Sequence, residues 1–201
     1  GLCTAGGLDR HEVVEAALAG MQRAEDATGL EAFLIITALR HKQDSDLAAQ
    51  AAVHFGDEGV VAFDLAGPER GFPPDAHLPA IQRARRAGLG ITLHAGEGDG
   101  PHSIWRAVAL CGAERIGHGV RIADDTDFDG EAIRKLGRLA TTVRDHRIAL
   151  EVAVTSNLHT GTYADGHPLG ALYRAGFNVS INTDNRLMSG VSVSSEYAQA
   201  A

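Results

Sequence analysis

The chain has 201 residues, 24 of them glycine, and 18 Lys and Arg stand against 26 Asp and Glu for a formal charge of −8. With 44% hydrophobic and 22% charged residues it has a globular composition and enough length to bury a core without disulfide staples. The acidic balance argues against a nucleic-acid partner, which needs clustered Lys and Arg, and no apolar run is long enough for a membrane-spanning helix.

Taken in chain order, apolar runs alternate with amphipathic segments. Residues 9–28 read as a helix, with Val13, Val14, Ala17, Leu18 and Met21 on one face, Asp9 and Glu12 spaced as a capping box, and Gly29 as the stop. Strands are expected at 32–39, 60–65, 91–93, 115–117, 148–154 and 177–183, and helices between them at 44–55, 77–87, 102–111, 130–145 and 168–175. The strands are nearly continuous apolar runs, the signature of a parallel sheet covered on both faces by helices. An open doubly wound sheet and a (β/α) barrel both fit the alternation. A full eight-stranded barrel takes about 250 residues, so the six units here would be a barrel short of two. No internal linker, repeat or low-complexity tract interrupts residues 1–201, which read as one domain.

The ends and the cysteines carry expectations of their own. GLCTAGGLD at the start lacks a Met or a signal peptide, and SSEYAQAA at the finish lacks a closing element. The expectation is a piece of a longer cytoplasmic protein. Cys3 and Cys111 cannot build a disulfide framework and read as free thiols in a reducing compartment.

Polar residues collect at one end of the apolar runs. VVAF is followed by Asp64 and Gly67; ITL by His94, Gly96 and Glu97; ERI by His118 between Gly117 and Gly119; LEVAV by Thr155, Ser156 and Asn157; NVSIN by Asp184 and Asn185. Parallel α/β folds gather ligands and catalytic groups at the C-terminal ends of their strands. Singly, each residue has a plain structural reading: a hydrogen-bonded histidine, a helix-capping Asp, a turn glycine. Together, two imidazoles and two carboxylates at one rim are the groups of a metal-assisted hydrolase. Among the other histidines, His11, His77 and His146 read as solvated residues on or beside helices. His159 and His167 lie near the rim in the loop after the fifth strand, and Arg40 closes the first strand.

The motifs VVAFDLAGPE (60–69), LHAGE (93–97), RIGHG (115–119), TSNLHTG (155–161) and SINTDN (180–185) resemble, in order, those of the adenosine deaminase family of zinc-dependent purine deaminases. The resemblance runs from about residue 10 to residue 195 and implies an amidohydrolase-type (β/α)8 TIM barrel. About six of eight βα units would be present, with the first two strands and the C-terminal end missing. It implies a Zn2+ cofactor, a small purine nucleoside as partner, and hydrolytic deamination of adenosine and deoxyadenosine in purine salvage. By the same resemblance His94 and Asp184 are zinc ligands, and Glu97 is the catalytic acid/base that protonates purine N1. His118 orients the attacking hydroxide, the Gly67 backbone N–H meets purine N3, and Asn185 contacts N7. The H-x-E with P-C-x-x-C signature of the other zinc deaminases is absent.

Two departures stand out. Asn185 occupies a position where the family usually carries Asp; an amide donates a hydrogen bond without needing a proton. The family's H-x-H motif, the source of two further zinc ligands, does not occur in the 201 residues, which leaves two donors where a catalytic zinc takes three. The chain by itself is therefore expected to bind zinc weakly and turn over little. Adenine deamination in the same family, AMP as substrate, and a non-catalytic purine-binding remnant are the alternatives.

Overall fold

The computed structural model describes residues 6–129, 132–163 and 166–201; Cys3 lies outside them. Helix α1 (Arg10–Thr28) opens on the expected box: Asp9 accepts from the His11 N–H, Glu12 reaches back to the Asp9 N–H, and Gly29 closes the helix in the left-handed region. Strands β1 (Leu34–Leu39), β2 (Val60–Ala66), β3 (Gly90–Ala95) and β4 (Arg115–His118) follow. A hairpin of β5 (Thr126–Asp129) and β6 (Ala132–Leu136) comes next, then β7 (Ala149–Val152) and β8 (Val179–Ile181).

The main sheet has six strands in the order β1-β2-β3-β4-β7-β8, all parallel. A doubly wound sheet reverses its strand order part-way along. Here the order never reverses, which is the progression of a (β/α) barrel wall. Helices α2 (Ser45–His54), α3 (Leu78–Arg86), α5 (Arg138–Asp145) and α7 (Leu169–Arg174) fill the crossovers. The core sits where the helices meet the middle strands. Phe63, Leu65, Ile91, Leu93, Ile116, Leu150 and Val152 are fully buried, and Thr92, between Ile91 and Leu93, is buried too. Burial of successive residues in β3 is what a strand covered on both faces requires. The end strands differ: β1 is buried only at Ala38, and β8 is nowhere fully buried.

Three sequence expectations need correction. The helix expected over 130–145 is confined to α5; Ala132–Leu136 is instead a strand paired antiparallel with Thr126–Asp129, and residues 130 and 131 lie outside the described set. The segment over 102–111 begins as helix α4 (Pro101–Trp105) and continues over Arg106–Leu110 with wider π-type turns. The chain after β7 turns directly into helix α6 (Val154–His159), so the strand expected over 148–154 stops at Val152, and His159, expected in a loop, is helical.

Candidate active site

The C-terminal rim of the sheet is built by β-strand register. In the β3–β4 ladder His94 lies opposite Gly117 and Ala95 opposite His118. A Cβ on Gly117 would stand 2.9 Å from the His94 Nδ1, so the absence of a side chain is what lets the imidazole lie across β4. From β2, the Asp64 Oδ1 meets the His94 Nδ1 at 3.0 Å, and its Oδ2 accepts from the Thr37 hydroxyl on β1, again at 3.0 Å. Nδ1 is thereby the protonated nitrogen of His94, and Nε2 is the one left to meet a cation, the arrangement of a carboxylate–histidine–metal unit.

His118 follows at the end of β4 with φ +61°. It is buried, its ring centroid is 5.2 Å from that of His94, and its Nε2 lies 3.4 Å from the Glu97 Oε2. On the other side of the ring Nδ1 meets the Asn157 Nδ2 at 3.0 Å. Asp184, just past β8, has φ +51°, and its Oδ2 accepts from the Ser156 hydroxyl at 2.7 Å. Among the described residues only three non-glycines hold positive φ, and two of them are His118 and Asp184. Strain of that kind concentrates at functional positions.

The charges act on one another. For His94, burial is the largest single influence and opposes protonation, but Asp64, Asp184 and Glu97 together outweigh it and raise its pKa. For His118 burial prevails over the pull of Glu97, and its pKa is lowered. Two imidazoles about 5 Å apart therefore lean in opposite directions.

The loop carrying Glu97 is held from below by Glu69, which is buried. Its Oε1 accepts from the Gly96 N–H at 2.5 Å, and its Oε2 accepts from the N–H groups of Glu97, Gly98 and Asp99 at 3.1, 2.7 and 3.0 Å. Arg40 is fully buried and spends its guanidinium on the carbonyls of Leu65, Phe72 and His94. It ties the ends of β2 and β3 together rather than meeting a carboxylate at hydrogen-bond distance. The sequence pointed to Arg40 at the rim without its partners, and to Glu69 only as part of the GPE motif. His77, expected to be solvated, is buried instead, with Nδ1 at 2.8 Å from the Ser45 hydroxyl and Nε2 at 2.9 Å from the Arg40 carbonyl.

His94, Glu97, His118 and Asp184 thus share one field. Gly67 and Asn185 sit at the rim on either side. Gly67 has φ +97°, with His41 against the place a Cβ would take. Asn185 caps helix α8 (Arg186–Ser189), its Oδ1 accepting from the N–H groups of Leu187 and Met188 at 3.2 Å each.

The donor chemistry suits zinc in two positions: the Nε2 of an imidazole oriented by a carboxylate, and a carboxylate oxygen of Asp184. The anionic surroundings that favour positive charge on His94 would favour a metal ion there equally. Among the described residues, however, no three His, Cys, Asp or Glu side chains gather as a metal site. The described residues fit part of a catalytic zinc centre and not a whole one.

The adenosine deaminase family model matches residues 1–201. The chain belongs to the adenosine deaminase family. It is 46% identical over 198 residues to the adenosine deaminase of Mycolicibacterium vanbaalenii, covering 95% of this chain and 55% of that protein. It is likewise 46% identical over 197 residues to that of Mycobacterium tuberculosis, covering 94% and 54%. The chain therefore spans about half the length of the curated relatives it matches. Among solved structures it resembles an adenine deaminase from Arthrobacter aurescens (TM-score 0.85, 27% identity, 98% of this chain and 57% of that one). It also resembles an amidohydrolase from Burkholderia ambifaria with bound Zn (TM-score 0.79, 25% identity, 96% and 52%) and the N6-mAMP deaminase of Arabidopsis (TM-score 0.77, 27% identity, 96% and 57%). These likenesses, with the unreversed strand order, make the fold a partial (β/α)8 barrel.

Proposed function

We propose that the protein to which this chain belongs hydrolyses adenosine and deoxyadenosine at purine C6, releasing ammonia and leaving inosine or its deoxy counterpart. The observation that carries this reading is the pairing of Glu97 with the His118 Nε2 beside a His94 whose other nitrogen is committed to Asp64. That set holds a proton donor, an oxygen-orienting imidazole and an oriented metal donor at one rim. The named activity of relatives at 46% identity supports adenosine as the substrate.

In this reading Glu97 gives its proton to purine N1, which makes C6 electrophilic. His118 orients the attacking water oxygen and stabilises its developing charge, and the Asp184 carboxylate takes the proton that water sheds. The 6-amino group takes the proton held by Asp184 and leaves as ammonia, the C6 hydroxyl returns its proton to Glu97 as it becomes a carbonyl, and N1 keeps its hydrogen. The backbone N–H of Gly67 meets N3, and the Asn185 amide donates to N7. His94 and Asp184 would hold zinc, which when bound lowers the pKa of water to about 7. With two donors in place of three, the chain alone is expected to bind zinc weakly and turn over little.

Adenine is the second reading, favoured by the likeness to the Arthrobacter enzyme. The test follows the absorbance change on loss of the 6-amino group, with adenosine, adenine and AMP offered to the zinc-loaded full-length protein. Adenosine is expected to react with the highest kcat/KM. No turnover of adenosine would overturn the proposal, and faster turnover of adenine would replace it with the second reading.

A further inference from the structure

Behind His118, on the side away from Glu97, runs a line of three polar contacts that begins at a group able only to donate. The backbone N–H of Leu169, the first residue of α7, is 3.1 Å from the His167 Nδ1. The His167 Nε2 is 3.2 Å from the Asn157 Oδ1, and the Asn157 Nδ2 is 3.0 Å from the His118 Nδ1. The line ends at the Glu97 carboxylate, 3.4 Å from the His118 Nε2. Asn157 is fully buried, so its amide has no solvent to satisfy it in another orientation.

Each link dictates the next. A backbone N–H makes the His167 Nδ1 an acceptor, and a neutral imidazole with an acceptor at Nδ1 carries its hydrogen on Nε2. Burial pushes the pKa of His167 down to about 4, so the neutral form is the one present near neutral pH. The Nε2–H of His167 requires an oxygen, which turns the Asn157 carbonyl toward it and the amide N–H₂ toward His118. That donor makes the His118 Nδ1 an acceptor and leaves the hydrogen on Nε2, facing Glu97. The reverse orientation of Asn157 would set donor against donor at His167.

We propose that His167 and Asn157 are positioning residues that fix His118 as its Nε2–H tautomer, aimed at Glu97 and at the oxygen that attacks the purine. The role extends the one given to His118 above and rests on it. In this state His118 donates to the attacking oxygen and is not the base that takes the water proton. α6 starts two residues after β7, and that early start is what brings Asn157 under His118.

The tautomer is readable without turnover, so failure of this inference is distinct from failure of the deaminase assignment. Long-range proton–nitrogen correlation spectra of the protein labelled with ¹⁵N-histidine, with His118 assigned from the His118→Gln variant, should show an unprotonated Nδ1 and a protonated Nε2 for both His118 and His167. Asn157→Asp replaces the donor by an acceptor and should move a proton onto the His118 Nδ1. His167→Leu should give an averaged His118 Nδ1 shift as the amide loses its director, and His167→Gln, which keeps an N–H donor, should restore the wild-type shift. A wild-type His118 protonated on Nδ1, or an Asn157→Asp protein with an unchanged His118 pattern, overturns the inference.

Discussion

The two sides of the candidate site are built differently. Glu97 follows the end of the interior strand β3 and His118 ends β4, over fully buried Leu93 and Ile116, with Glu69 and Asn157 fixing them from buried positions. Asp184 and Asn185 come after β8, the last strand of the sheet, and are exposed, as are Leu187 and Met188 beyond them. The side proposed to handle protons is held by buried residues of the sheet interior. The side proposed to carry the carboxylate metal donor and the purine N7 contact rests on a sheet edge, where the Ser156 hydroxyl steadies Asp184. A strand paired on both sides anchors the residues at its end more firmly than a strand paired on one.

Three substitutions and conditions sharpen that contrast. Glu69→Ala should have the largest effect on the interior side, because it strips the acceptor from four backbone N–H groups in a partly buried loop. A loss of more than about 2 kcal/mol is expected, read as a lower denaturant midpoint at unchanged slope. A midpoint equal to wild type would show that the loop holds itself. Asp64→Asn should then reduce the zinc affinity of the full-length protein about 10- to 100-fold by releasing His94 from its orienting carboxylate, while the folded stability changes less than in Glu69→Ala. Metal titration against a chelator measures it, and unchanged affinity would remove Asp64 from the site.

The smallest effect is a pH dependence. His167 has a folded pKa of about 4, depressed mainly by burial from 6.5. Between these values the unfolded chain binds the extra proton, so stability is fully present above about pH 6.5 and declines as pH falls toward 4. His167→Gln has no such group, so the stability advantage of wild type over the variant should shrink through that window. The partly solvent-accessible position makes the change modest. A difference that stays constant with pH would contradict the depressed pKa.

Much of the fold and the site was legible in the residues. Interior strands read plainly because burial on both faces makes them unbroken apolar runs, and the site residues read plainly because they stand directly after those runs. The hairpin did not. Ile133 and Leu136 are three apart and match one helical face as well as a short strand, and a short segment carries too few apolar positions to separate the two periods. The buried state of His77 depends on Ser45 and on the Arg40 carbonyl, 32 and 37 residues away, and no local pattern encodes it. Glu69 and Asn157 lay inside recognisable motifs, but their work is to satisfy hydrogen bonds from other segments, which only the fold reveals.

At the centre of the proposed mechanism, Glu97 hands a proton to the purine. Glu97→Gln in the zinc-loaded full-length protein keeps the shape of the side chain and removes the acid. A fall in kcat with adenosine of about 10²- to 10⁴-fold at unchanged zinc content is the expected result, and wild-type turnover at that same zinc content would contradict it.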